Sequence, residues 1–156
     1  MKTLELVFSE LARLVAQPLP TSEQMKKAAE LIRSARGYRW VGLYEVTEAE
    51  IGAFAWTGTE APAFPRFPRA QGLCGAAVKS RAPVIVGDVK NDSRYLATFG
   101  NTQSEMIVPV IDGRNNVVGL IDVESEKRNA FSDQDTHFLQ SCAFALLPLF
   151  ESSAKR

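Results

Sequence analysis

SEMIVPVIDGRNNVVGLIDVES, residues 104–125, decides the fold. It contains two apolar stretches, Glu105 to Ile111 and Val117 to Glu124, around a turn holding Asp112, Gly113, Asn115 and Asn116. Turn formers between two runs of β-branched residues predict a β-hairpin, and its near-continuous apolar content predicts a place at the centre of a sheet.

Upstream, residues 38–56 also change to a period of two. YRWVGLYEV and IGAFAWT are read as a second hairpin, joined near Thr47 to Glu50. Between the hairpins, GTEAPAFPRFPRAQG holds Pro62, Pro65 and Pro68, which cannot donate to a central ladder, and is read as a loop. GLCGAAVKSRA suits a short helix and PVIVGDV a short strand. NDSRYLATFGNTQ has no period of either kind. Long unpatterned connections in a compact domain are frequent sites of binding.

The ends of the chain are helical. Leu4, Val7, Phe8, Leu11, Leu14 and Val15 recur at helical spacing until Pro18 and Pro20. A second helix opens at Thr21 or Ser22, where a hydroxyl and Gln24 suit a cap, and runs to Gly37. Ser132 is placed to cap a last helix, with Asp133 and Asp135 in its first turn and apolar residues from Phe138 past Phe150. This order predicts an α+β fold, an antiparallel sheet with helices gathered on one side. One domain over 1–156 is expected, with leading helices at 1–37, sheet and pocket loops at 38–125 and the final helix at 132–151.

The chain has 156 residues, 18 basic and 18 acidic side chains, one His and no net charge. Such a chain offers no general field for nucleic acid, and no basic cluster with aromatics makes a local one. No apolar run approaches the length of a membrane span, and Glu5 and Glu10 interrupt the N-terminal apolar stretch, unlike a signal peptide core. A cytoplasmic protein that contacts neither nucleic acid nor membrane is expected. Cys74 and Cys142 with a lone His supply no zinc set, so neither a metal nor a cofactor is expected. His137 reads as a surface residue.

Chemistry is expected where acids sit among apolar neighbours. Asp122 and Glu124, two apart on one strand, share a face, and the hairpin can bring Glu105 beside them. Clustered carboxylates call for a cation, an ammonium, a metal or a proton, unless the strand ends are simply solvated. Trp40, Tyr95 and Phe99 are candidate pocket walls, whereas Tyr44 and Phe54 suit plain core. Cys74 lies in GLCGAA at a helix start, where the dipole can lower a thiol pKa; equally, a free cysteine packs as a small hydrophobe. Cys142 suits the core.

Trp40-Val41-Gly42-Leu43-Tyr44, Gly72-Leu73-Cys74-Gly75, Asp88-Val89, Ser104 to Pro109, Gly119 to Ser125 and Phe131-Ser132-x-x-Asp135 together resemble a GAF domain. Within it they resemble the stand-alone free methionine-(R)-sulfoxide reductases. The resemblance implies a twisted antiparallel sheet, N- and C-terminal helices on one face that often form a dimer surface, and a loop-covered ligand pocket on the other. Cys74 matches the family's resolving cysteine. The attacking cysteine is replaced by Thr98 in Leu96-Ala97-Thr98, and a third cysteine position is Phe64. A threonine hydroxyl stays protonated and forms neither sulfenic acid nor disulfide. Glu105 and Asp122 match the family's carboxylates, and Glu124 stands where Asp is usual.

The expectation is a non-catalytic binding or signalling domain for an amine-bearing or amino-acid-like ligand, held by Trp40, Tyr44, Tyr95, Thr98, Phe99, Glu105, Asp122 and Glu124. A reductase running on Cys74 with an external thiol is the enzyme alternative. A ligand-free dimeric interaction module, built on the terminal helices, is the third.

Overall fold

The computed structural model describes residues 2–154. Its elements are α1 (Leu4–Ala16), α2 (Thr21–Arg36), β1 (Trp40–Val46), β2 (Glu50–Thr57), β3 (Arg66–Pro68), α3 (Gly72–Ser80), β4 (Val84–Val86), β5 (Ser104–Ile111), β6 (Val117–Ser125) and α4 (Asp133–Ala154), with a 3-10 turn at Val89–Asn91. Six strands form one antiparallel sheet in the order β3-β2-β1-β6-β5-β4. The fold is the α+β arrangement expected, with two local differences in the sheet. A three-residue strand, β3, lies inside the proline-rich stretch read as loop, and its prolines are tolerated because β3 is an edge strand. The β5–β6 hairpin is also off-centre: β6 pairs with β1 in the middle, while β5 is second from the edge.

Alternation along the strands sorts side chains onto two faces. Val41, Leu43, Met106, Val108, Val110, Ile121 and Val123 pack with Val7, Leu11, Met25, Ile32, Leu139 and Leu146 of α1, α2 and α4. This is the main core, and it accounts for the apolar stripes of all three helices. Gly119 brings α4 close, since a Cβ there would run into the Phe150 ring. The opposite face carries Trp40, Tyr44, Ile107 and Leu120, packed under Leu73, Cys74, Ala77 and Val78 of α3. One helix therefore lies on the pocket side rather than with the other three.

The helix ends show how local chemistry fixes the layers. Neither Thr21 nor Ser22 caps α2: Pro20 takes the cap position without a side-chain bond, and Thr21 is already helical. Proline suits that place because it needs no backbone partner. Gln24, the expected capping partner, is buried instead, and its amide donates to the Leu14 and Gln17 carbonyls at 3.0 Å each, closing the end of α1. At α4, Asp135 accepts from the Ser132 N–H at 2.9 Å and from its hydroxyl at 3.1 Å. Asp135 also accepts from Tyr38 Oη at 2.6 Å and Arg36 Nε at 3.1 Å, joining the end of α2 to the start of α4. Burial opposes this carboxylate's charge, but Tyr38, Ser132 and Arg36 outweigh it and hold its pKa below the usual range.

Candidate functional site

The β5–β6 register places Glu105 opposite Glu124 and Ile107 opposite Asp122, while β1 sets Gly42 against Asp122 on the other side. Glu105, Asp122 and Glu124 are 5%, 2% and 0% exposed, so the strand ends are not solvated. One oxygen from each carboxylate lies within 4.8 Å of the others. Gly42 leaves the space above Asp122 to the rings of Trp40 and Tyr44, which a Cβ at that position would strike.

Burial dominates the electrostatics. It pushes Asp122 up to about 7 and, together with the Asp122 charge, Glu124 up to about 9. Glu105 is held well above the usual carboxylate range by burial and then by the Asp122 and Glu124 charges. Two forces act the other way on Glu124: the Thr102 hydroxyl donates to its Oε1 at 3.0 Å, and Arg39 attracts its charge. Asp122 Oδ1 and Glu124 Oε2 are buried with no hydrogen-bond partner. Three acids with two bare oxygens form a site that holds protons when empty and is suited to a cation carrying donors.

Beside the acids is a cavity of about 20 Å³, room for about one water. Tyr44, Phe67, Gly72, Leu73, Cys74, Leu96, Thr98, Glu105 and Asp122 line it. Five residues expected at the site therefore meet there: Tyr44, Cys74, Thr98, Glu105 and Asp122. Glu124 joins through the acid cluster, whereas Trp40, Tyr95 and Phe99 are not among the lining residues. Trp40 and Phe99 pack on each other with centroids 5.1 Å apart, and the Arg39 guanidinium covers Phe99 at 5.4 Å. Trp40 Nε1 donates to the Glu60 carbonyl at 2.9 Å. The Tyr95 phenol is pushed up to about 12 by burial and then by the Glu124 charge.

Cys74 corrects an expectation. Its position at the start of α3 suggested a lowered pKa, but burial, then the charges of Asp122, Glu105 and Glu124, push the thiol well above its usual value. A helix terminus contributes a fraction of a charge, and burial together with the three nearby acids outweighs it. Cys142 is buried in the helical core, and His137 is exposed. Phe67, Gly72, Leu73 and Leu96 were missed as lining residues, as was Thr102 beneath Glu124. Gly72 alone carried a legible signal, as a glycine at a helix start. It adopts φ +75°, a left-handed backbone that other residues resist.

A family model described as GAF domain matches residues 20–146. The GAF domain-containing protein A of Dictyostelium discoideum is 33% identical over 101 residues, 64% of this chain and 62% of that protein. A free methionine-R-sulfoxide reductase of Saccharomyces cerevisiae is 30% identical over 109 residues, 67% of this chain and 58% of that protein. The matched part of the chain thus spans less than two thirds of the length of these two relatives. The type II free methionine-R-sulfoxide reductase of Thermoplasma acidophilum superposes with a TM-score of 0.80 at 34% identity, covering 85% of this chain and 93% of that one.

Proposed function

The chain belongs to the GAF domain family, and from that premise we propose that it binds a small amine-bearing or amino-acid-like molecule without transforming it. The observation that carries this reading is the buried trio Glu105, Asp122 and Glu124 with two oxygens that have no hydrogen-bond partner. A ligand ammonium supplies the missing charge and the missing donors. Tyr44, Phe67, Leu73 and Leu96 give its hydrocarbon part an apolar wall, and Thr98 adds a hydroxyl. The one-water cavity requires the segment around Leu96 and Thr98 to move aside as the ligand enters.

Free amino acids, both methionine sulfoxide epimers and polyamines, screened by thermal stability, test this directly. A ligand at 100 times its dissociation constant adds about 2.7 kcal/mol to the native state. The shift should vanish in Asp122→Asn and Glu105→Gln. A ligand that binds these variants as tightly as the parent sinks the reading.

A second reading is favoured by the reductase relatives and by Cys74 lining the same cavity as Thr98. Here the Cys74 thiol attacks the sulfoxide sulfur, leaving sulfenic acid and free methionine. One external thiol then forms a mixed disulfide with loss of water, and a second releases Cys74 and an external disulfide. The raised thiol pKa opposes the first step, which is why the binding reading is preferred. Homodimer formation through the terminal helices is part of the proposal, supported by Leu4, Leu6 and Phe144, exposed at 46%, 45% and 83%. Among the described residues no helix is long and apolar enough to cross a membrane. Action in the cytoplasm, without nucleic acid, completes the proposal.

A further inference from the structure

Thr102 is 2% exposed and donates to Glu124 Oε1 at 3.0 Å from the loop that precedes β5. Its placement is set by backbone. The Thr102 N–H donates to the Phe99 carbonyl at 3.4 Å; the next residue, Gln103, donates to the Ser125 carbonyl at 2.8 Å and accepts from the Val89 N–H at 2.9 Å. The side chain is β-branched, so few rotamers compete with the one that meets Glu124. With Oε1 occupied, the other Glu124 oxygen has no partner, and Asp122 Oδ1 has none either. Each is a buried acceptor whose desolvation only a donor offsets.

We infer that Thr102 is a positioning residue of this site: by occupying Oε1 of Glu124 it leaves Oε2, with Asp122 Oδ1, as a pair of bare acceptors that selects a ligand whose cationic nitrogen carries at least two N–H donors. The inference rests on the carboxylate-bound amine reading and narrows it. Positive charge alone does not satisfy two acceptors. A primary or secondary ammonium does so, whereas a tertiary one satisfies one acceptor and a quaternary one neither.

The test uses L-methionine and its N-methyl, N,N-dimethyl and N,N,N-trimethyl derivatives as probes, titrated calorimetrically into the parent, Thr102→Val and Thr102→Ser. In the parent, affinity should hold through the N-methyl compound and fall about 100-fold by the trimethyl one, about tenfold for each lost bond. Thr102→Val should weaken L-methionine about tenfold and compress the series, because Glu124 is then free to turn, and Thr102→Ser should restore both. A ligand-free readout runs alongside: the pH midpoint of the Glu124 carboxyl carbon resonance should rise in Thr102→Val and return in Thr102→Ser. Thr102→Ala removes the same hydroxyl and serves if the valine variant does not fold.

An unchanged series and an unchanged Glu124 midpoint in the valine variant overturn the inference. If the parent binds none of the probes, the amine reading fails by itself, and the Glu124 midpoint still decides Thr102: a rise supports positioning, and no change overturns it.

Discussion

Glu105 and Glu124 stand directly opposite each other in the β5–β6 ladder, both buried. Like charges at such a position destabilise a sheet. The pair is therefore compatible with folding only while protons or a cation neutralise it, and the ligand-free stability should record this. Asp122 and Glu124 have native pKa values raised to about 7 and about 9, against roughly 4 for unfolded carboxylates. Their stabilising contribution is complete below about pH 4 and is lost as pH rises through the native values. Urea unfolding should therefore show stability falling from pH 5 to pH 9. Glu124→Gln, which copies the protonated form, should be more stable than the parent at pH 9 and near equal at pH 5. A parent that gains stability over this range contradicts the assignment.

The same protons should leave when an ammonium arrives. Burial raises all three carboxyls, so the empty trio keeps protons to higher pH than free carboxyls do, and a bound cation favours the carboxylates. Binding should release protons and tighten as pH rises toward 9. Calorimetric titration of a bound amine in buffers of different ionisation enthalpy measures this. Heats that do not depend on the buffer would mean that the acids stay protonated around the ligand.

Cys74 and Thr98 line one cavity with room for about one water, so a thiol at position 98 would share that small space with Cys74. Thr98→Cys should form a disulfide with Cys74 on mild oxidation, seen as a mass loss of about 2 Da and two fewer titratable thiols. With free L-methionine-(R)-sulfoxide and dithiothreitol, Thr98→Cys should turn over, while the parent matches a Cys74→Ser background. Parent turnover above that control would transfer the weight to the one-cysteine reductase.

The sheet and the acid trio were legible because both depend on a period of two. Once Glu105 to Ile111 and Val117 to Glu124 are strands, the sharing of a face by Asp122 and Glu124 follows, and the hairpin brings in Glu105. The strand β3 was not legible, because three residues flanked by prolines carry no period and pair only through the edge of β2. The misplaced α2 cap has a similar cause: Thr21 and Gln24 have the right spacing, but Gln24 gains more by closing the end of α1, a contact ten residues back. Thr102 was silent for the same reason, since its role depends on Glu124, twenty-two residues on. The direction of the Cys74 shift needed the fold itself, because only the assembled site shows the thiol buried, with three acids around it, against one helix end.

Phe144 offers a test of the helical face. It is 83% exposed on α4 and borders a hollow with Phe8, His137, Gln140, Ser141 and Ala145, a surface with no Asp, Glu, Lys or Arg. A large ring this exposed contributes little to the monomer's own stability, and the proposed dimer would bury it against a second copy. Sedimentation velocity at micromolar concentration should show a dimer. Phe144→Glu should shift it to monomer, since pairing two copies would then bury like charges near each other. The urea midpoint measured on monomer should move by no more than about 0.5 kcal/mol equivalent, as for other exposed substitutions. A parent that sediments as a monomer would remove the dimer from the proposal and leave the carboxylate site untouched, because α4 and the trio lie on opposite faces of the sheet.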